Sequence, residues 1–153
     1  MQVAELLDLD RISCNIQCAS KKRVLEQLSQ LLAANQEKLT QHQVFDSLLS
    51  RERLGSTGLG HGVAIPHGRM KENDTTLAAF IKLQEGVDFD TSDHQPVDLL
   101  FALLVPAEAT DEHLQLLAQL ARMFSDEALV SKLRASTDAR TLLNTIQEWQ
   151  GQH

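Results

Sequence analysis

The chain has 153 residues, of which 42% are hydrophobic and 4% aromatic, and its 14 Lys and Arg against 21 Asp and Glu give a formal charge of -7. This composition is typical of an acidic globular protein, and at this length one core forms without disulfides or a structural metal. We therefore expect a single domain over residues 1–153. Nucleic-acid affinity depends largely on Lys and Arg. Because the longest basic run is Lys21-Lys22-Arg23, the composition argues against a nucleic-acid partner.

Membrane insertion is also excluded by the apolar pattern. The longest apolar run, from Leu99 to Val105, has seven residues, whereas a bilayer-spanning helix needs roughly 20. Three acidic residues, Glu5, Asp8 and Asp10, precede the first basic residue, which is the reverse of a secretory signal. We therefore expect a cytoplasmic protein.

Two amphipathic helices are predicted in the first third of the chain. The first helix begins after Ser20, which is its predicted N-terminal cap. Its apolar residues have the i, i+3, i+4, i+7 spacing of one helix face, at Val24, Leu25, Leu28, Leu31 and Leu32. The second spans about 41–53. The periodicity then stops, and the glycine-rich stretch 55–62 is predicted to be a loop. The apolar segment 63–65 must stay extended at Ile65 because a proline follows it.

The rest of the chain alternates strands and helices. Residues 77–83 and 97–105 are predicted strands, and the second is apolar enough to lie in the centre of a sheet. A helix is predicted over 111–124, capped by Thr110 or Asp111. The predicted inward face of this helix consists of Leu114, Leu117, Leu120, Ala121 and Phe124. Two shorter helices are predicted over 126–134 and 138–149. The alternation indicates an α/β or α+β class.

Five of the seven glycines lie within fourteen residues, at positions 55, 58, 60, 62 and 68. Glycine clusters allow positive φ and close approach, and successive backbone N–H groups can then bind an anion such as phosphate. Two familiar phosphate loops are excluded, because there is no G-K-[ST] and the glycines lead into an extended segment rather than a helix.

His67 follows the glycine-rich segment between Pro66 and Gly68. Pro66 fixes the approach of the chain, and we expect Gly68 to let it turn away while its N–H faces whatever the imidazole carries. This arrangement suits a histidine that acts as a nucleophile or carries phosphate. The alternative from the residues alone is an ordinary turn histidine.

Two further residues are candidates for the same site. His113 lies in the first turn of the predicted helix 111–124, where the helix dipole favours a neutral imidazole that can donate a hydrogen bond to an anion. The alternative is a packed histidine. Arg51 lies near the end of the helix 41–53. The alternative to a role in the site is that its side chain is solvated and paired with a neighbouring carboxylate.

The other histidines are expected to be exposed, namely His42, His61, His94 and His153. A zinc site formed by His61, His67, His113 and a carboxylate is an alternative that the spacing does not favour, because no H-x-x-x-H helix is present. We expect neither a metal nor a cofactor.

Residues 51–68 read RERLGSTGLGHGVAIPHG. This stretch resembles the active-site signature of the enzyme IIA proteins of the fructose/mannitol class in the bacterial phosphoenolpyruvate-dependent phosphotransferase system. Residues 95–106, QPVDLLFALLVP, and the later His113-Leu114 are similar to the central strand and following helix of that family. The likeness covers essentially the whole chain, and the Gly-Ser-Thr-Gly form of the loop is most similar to the nitrogen-related branch.

The resemblance implies a fold and a set of roles. The fold is α/β, with a mixed β-sheet flanked by helices on both faces. His67 matches the histidine that carries the phosphoryl group, and the family suggests its Nε2 atom. His113 and Arg51 match residues that stabilise the phosphate, whereas His61 lies at a variable point of the loop and is not included in the site.

The resemblance also implies partners. The phosphoryl donor is a histidine-phosphocarrier protein, and the nitrogen-related branch implies a phosphotransferase that regulates potassium transporters or sensor kinases by phosphorylation-dependent binding. The alternative is a sugar-specific IIA component that passes its phosphate to a separate IIB domain, since this chain contains no IIB-like segment.

Overall fold

The structure, a computed structural model, describes residues 2–153. Six α-helices are present in this range: α1 Val3–Leu6, α2 Lys21–Ala33, α3 Gln41–Glu52, α4 Thr110–Phe124, α5 Glu127–Ala135 and α6 Ala139–Gln152. The strands are β1 Ile12–Ile16, β2 Gly58–Gly60, β3 Val63–Ala64, β4 His67–Met70, β5 Leu77–Val87 and β6 Val97–Pro106. A 3₁₀ turn, Leu9–Arg11, precedes β1. No helix within residues 2–153 is long and apolar enough to cross a membrane.

The strands form one mixed sheet in the order β1-β5-β6-β3-β2, with β4 also paired to β6. Strands β5 and β6 are antiparallel, whereas β1 runs parallel to β5, and both β3 and β4 run parallel to β6. The short β3 and β4 pair with successive parts of the same edge of β6. The expected mixed sheet is therefore confirmed.

Helices cover both faces of this sheet, as the resemblance implied. On β6, Leu99, Phe101, Leu103 and Val105 pack on the side of α1, α4, α5 and α6, whereas Leu100, Ala102 and Leu104 pack on the side of α2 and α3. This alternation follows from the two-residue period of a strand. Strand β6 is buried on both faces, which explains its continuous apolar sequence.

The predicted helix starts are largely confirmed by their caps. The Ser20 side chain accepts a hydrogen bond from the backbone N–H of Arg23, and Thr40 and Gln43 form a capping box at α3. The predicted cap of α4 was wrong. The residue before this helix is Ala109, which offers no side-chain cap, and Thr110 is the first helical residue.

The predicted inward face of α4 was also wrong in part. Leu120 and Phe124 are buried as expected, but Leu114 and Ala121 are exposed and Leu117 is only partly buried. The buried face consists of His113, Leu116, Leu120, Met123 and Phe124. The helix is therefore rotated relative to the prediction, and the rotation buries His113.

The predicted glycine loop contains a small hairpin. Strands β2 and β3 are antiparallel and are joined by His61 and Gly62, with φ values of 57° and 81°. Positive φ at both turn residues is the geometry of a type I′ hairpin turn, which glycine adopts without strain. Part of the glycine cluster is therefore explained by a tight turn.

Candidate functional site

Three elements meet around one open cavity of about 660 Å³. They are the end of α3, the strand β4, and the first turn of α4. His67, His113 and Arg51, the three residues predicted for the site, all line this cavity. The fold therefore brings together side chains that are widely separated in sequence.

His67 is the first residue of β4 and its side chain is almost fully buried, since the residue is 8% exposed. Its Nδ1 atom lies 2.8 Å from the carbonyl oxygen of Ile65. A carbonyl oxygen can only accept, so the ring proton must be on Nδ1. The neutral tautomer fixed in this way leaves the lone pair on Nε2 free to react.

The surroundings of His67 keep its ring neutral. Burial is the largest influence and lowers the pKa of His67 below its ordinary value, and the positive charge of Arg51 lowers it further. The hydrogen bond to Ile65 and the charge of Glu52 act in the opposite direction. Because the net shift in pKa is downward, the imidazole is uncharged at neutral pH, as a nucleophile requires.

His113 faces His67, and the centroids of their rings are 5.1 Å apart. Burial lowers the pKa of His113 to about 4, with smaller contributions from His67, Arg69 and Arg51. We expected a neutral imidazole from the helix dipole; the ring is neutral chiefly because it is buried. Its Nδ1 atom is buried without a hydrogen-bond partner among residues 2–153, so Nε2 is the nitrogen that can donate to a group in the cavity.

Two arginines supply positive charge to the same cavity. Arg51 donates from Nη1 to the carbonyl oxygen of Gly55, at 2.8 Å, and Arg69 donates from Nη1 to Oγ1 of Thr110, at 3.2 Å. Neither guanidinium is ion-paired with a carboxylate within residues 2–153. The alternative of Arg51 paired with a neighbouring carboxylate is therefore not observed, and the cavity has unneutralised positive charge in an acidic protein.

Arg69 was not predicted from the sequence. It lies two residues after His67 in β4, and side chains two residues apart in a strand point to the same face. This spacing would have identified Arg69 once residues 67–70 were recognised as a strand, whereas we expected the chain to turn away at Gly68.

Gly68 lies inside β4, paired with Leu104, rather than at a turn. A Cβ atom at this position would meet the Oγ atom of Ser47 and lie 3.2 Å from its Cβ atom. The glycine therefore allows α3 to pack closely against β4, which brings Arg51 next to His67. The expectation of a turn at Gly68 was wrong for this reason.

The other glycines of the cluster do not form the cavity. Gly68 lines it, but Gly55, Gly58, Gly60 and Gly62 do not. His61 is exposed in the hairpin turn and is likewise outside the cavity lining. Within residues 2–153 there is no group of three or more His, Cys, Asp or Glu side chains that could hold a metal ion. The zinc alternative therefore has no geometric support.

Comparison with known proteins identifies the family of this chain. Residues 5–149 match the family "Phosphoenolpyruvate-dependent sugar phosphotransferase system, EIIA 2", and the chain belongs to this family. A nitrogen regulatory protein of Escherichia coli (strain K12) is 41% identical over 152 residues, covering 99% of this chain and 93% of that protein. A PTS system fructose-specific EIIA component of Haloferax volcanii is 32% identical over 146 residues, covering 95% of each.

A solved structure shows the same similarity. The nitrogen regulatory protein IIA-Ntr from Neisseria meningitidis superposes with a TM-score of 0.89 at 41% identity, covering 94% of this chain and 98% of that one. Membership of this family makes the chain a phosphotransferase-system IIA protein, with a role in phosphoryl transfer or its regulation.

Proposed function

We propose that the protein is a phosphohistidine carrier that accepts a phosphoryl group on Nε2 of His67 from a histidine-phosphocarrier protein in the cytoplasm. The observation that carries this proposal is the hydrogen bond between Nδ1 of His67 and the carbonyl oxygen of Ile65, at 2.8 Å. It directs the reactive lone pair away from the strand and towards the basic cavity.

The transfer needs no metal in its covalent step. The lone pair of Nε2 forms the new N–P bond while the electron pair of the donor's P–N bond returns to the donor ring. No proton has to leave His67 during this exchange, because the proton stays on Nδ1, which donates it in a hydrogen bond to the Ile65 carbonyl oxygen. Catalysis therefore depends on positioning and on charge stabilisation.

Three groups around His67 can stabilise the phosphoryl oxygens. Arg51 and Arg69 offer guanidinium donors that are not ion-paired with a carboxylate among residues 2–153, and neutral His113 offers its Nε2–H. These donors lie in a cavity flanked by exposed leucines, where a docked donor protein would exclude water and strengthen each interaction. We therefore propose that His113 and Arg51 stabilise the phosphate, as the resemblance implies, and that Arg69 has the same role.

A reconstituted phosphorylation assay tests this proposal. The protein is incubated with phosphoenolpyruvate, the first enzyme of the system and its histidine phosphocarrier, and its mass is measured. We expect an acid-labile gain of one phosphoryl group in the wild type and in the control His61→Ala, but not in His67→Ala. A gain that persists in His67→Ala would overturn the assignment.

The output of the phosphorylated protein is proposed to be regulation. The relatives named as nitrogen regulatory proteins support this reading, and a phosphoryl group adds a charge of about -2 in a pocket edged by apolar side chains, which changes the partners that can dock. Potassium transporters and sensor kinases are the proposed targets. Their cytoplasmic domains should bind His67→Ala and the phosphorylated protein with different affinities, and equal affinities would count against the switch.

A second function is supported by the similarity to a fructose-specific EIIA component. In this case the phosphoryl group would pass rapidly from His67 to a separate IIB domain. Mixing the phosphorylated protein with purified fructose and mannitol IIB domains distinguishes the two functions. Rapid loss of phosphate to a IIB domain would favour sugar transport, whereas a long-lived phosphoprotein would favour regulation.

A further inference from the structure

Glu52 is a buried acid beside the site that the transfer reaction itself does not use. It is the last residue of α3, next to Arg51, yet its side chain is only 2% exposed and does not line the cavity. A carboxylate is rarely buried unless it is paired and hydrogen-bonded, because its desolvation is costly. The contacts of Glu52 therefore indicate what it does.

The Glu52 carboxylate connects α2 with the segment that precedes the hairpin. Its Oε2 atom lies 3.0 Å from Nζ of Lys21 and accepts a hydrogen bond from the backbone N–H of Thr57, at 3.3 Å. Its Oε1 atom accepts a short hydrogen bond from the Thr57 hydroxyl. Both donors of Thr57 are thus held by one carboxylate, and Lys21 balances the charge.

The backbone of Thr57 continues this connection towards His67. The carbonyl oxygen of Thr57 accepts from the N–H of Ile65, at 3.0 Å. The carbonyl oxygen of the same Ile65 lies 2.8 Å from Nδ1 of His67. Hydrogen bonds that are linked through the backbone of Thr57 and Ile65 therefore lead from the buried carboxylate to the ring nitrogen that sets the tautomer.

We propose that Glu52 is a positioning residue that, through Thr57 and Ile65, holds the Ile65 carbonyl against Nδ1 of His67 and so keeps Nε2 unprotonated. This proposal deepens the function proposed above, because the tautomer matters only if Nε2 is the atom that reacts. Without the restraint on Thr57, the carbonyl that accepts from the Ile65 N–H is held less firmly. The Ile65 backbone is then less well oriented, and the ring proton can move to Nε2. A ring protonated at Nε2 has no free lone pair on that atom and cannot attack phosphorus through it.

Lys21 anchors the series from outside the site. Its ammonium also lies 3.4 Å from Oδ2 of Asp90 and donates to the carbonyl oxygen of Phe89, at 3.3 Å. The charge on Glu52 is therefore balanced by a cation that is itself fixed by the segment after β5.

The test compares partial with complete removal of the Glu52 carboxylate. Glu52→Gln removes the charge and one of the two accepting oxygens but keeps the other oxygen for Thr57, whereas Glu52→Ala removes both oxygens. The exposed Glu148 on α6 supplies the matched control Glu148→Ala. For each full-length protein, nitrogen-15 NMR at about pH 8, above the ordinary histidine pKa, reports which ring nitrogen of His67 carries the proton.

The expected results differ among the variants. The wild type, Glu148→Ala and Glu52→Gln should hold the proton on Nδ1, whereas Glu52→Ala should place a large part of it on Nε2. The phosphorylation rate of Glu52→Ala should fall by roughly 10- to 100-fold, because loss of geometry away from the reacting atoms can have effects of this size. Glu52→Gln should recover most of the rate.

An unchanged tautomer and rate in folded Glu52→Ala would overturn the proposal, and so would an equal loss in Glu52→Gln and Glu52→Ala. If Glu52→Ala does not fold, Thr57→Val carries the test, since it removes the hydroxyl that donates to Glu52 and should shift the proton in the same direction. The NMR measurement needs no phosphoryl donor. Failure of the wild type to be phosphorylated would therefore reject the proposed function without deciding the role of Glu52.

Discussion

The rings of His67 and His113 lie with their centroids 5.1 Å apart, although one residue begins β4 and the other lies in the first turn of α4. A positive charge on either ring would be close to the other ring and close to two arginines. The pair is therefore built to be neutral, so that one imidazole can act as a nucleophile while the other donates a hydrogen bond.

This neutrality predicts a loss of stability in mild acid. The pKa of His113 is about 4 in the folded protein, against 6.5 for an unperturbed histidine. Below about pH 6.5 the unfolded chain binds a proton that the folded protein does not, so the free energy of unfolding falls as the pH falls. We expect the wild-type Tm to drop by about 5 °C between pH 7 and pH 5 from this cause.

Replacing the ring isolates its contribution. The decrease in Tm between pH 7 and pH 5, measured by calorimetry in the same buffers, should be much smaller for His113→Asn than for the wild type. The matched control is His94→Asn, because His94 is exposed and its φ of 58° also suits asparagine. A His113→Asn protein with the full wild-type pH dependence would contradict the assignment of a neutral, buried His113.

Arg69 is predicted to contribute to transfer. Arg69→Met should slow phosphorylation by about 10-fold or more, because the removal of one charged donor weakens stabilisation of the transition state. It should also raise the pKa of His113, since the charge of Arg69 contributes to the lowering of that pKa. Single-turnover kinetics and proton NMR titration measure the two effects.

The control for Arg69 is an arginine outside the cavity. Arg53 is exposed and does not line the site, so Arg53→Met removes the same charge from the protein without affecting either measurement. Arg69→Lys should restore part of the rate because it keeps the positive charge. Equal phosphorylation rates for Arg69→Met and Arg53→Met would contradict a specific role of Arg69 in transfer.

The elements with strong local signals were predicted well. Helices α2 and α3 have capping residues and one clear apolar face, and β6 has a continuous apolar run. Helix α4 was different, because Leu114, Leu117 and Ala121, which are exposed or only partly buried, have the same i, i+3, i+7 spacing as the buried His113, Leu116 and Leu120. Periodicity gives the helix but cannot choose between two adjacent apolar stripes.

The same limit applies to the site. His67, His113 and Arg51 were candidates from their local sequence, the resemblance to a family assigned their roles, and the structure brings them to one cavity. Glu52 was not assigned a role, because its role depends on tertiary contacts with Lys21 and Thr57. Arg69 was missed because residues 67–70 were not predicted to form a strand. A sequence pattern reports which residues share a face of one element, whereas these contacts join different elements.

Gly68 is predicted to be irreplaceable for a steric reason. Gly68→Ala introduces a Cβ atom against the Oγ atom of Ser47, and such overpacking should reduce the free energy of unfolding by about 1–3 kcal/mol. Ser47→Ala removes that oxygen, so the double variant should recover part of the loss in urea unfolding. Additive effects of the two substitutions would contradict direct contact between α3 and β4 at this point.

The leucines at the mouth of the cavity are predicted to bind the donor protein. Leu54 and Leu114 are 84% and 60% exposed, and both line the cavity beside His67. Leu114→Gln should raise the KM for the phosphocarrier several-fold with little change in kcat, because it removes apolar contact area without touching the reacting atoms. Its Tm should stay near that of the wild type, since surface substitutions usually change stability by less than about 0.5 kcal/mol. Leu59→Gln, on a partly exposed leucine outside this cavity, is the control, and an equal rise in its KM would place the docking surface elsewhere.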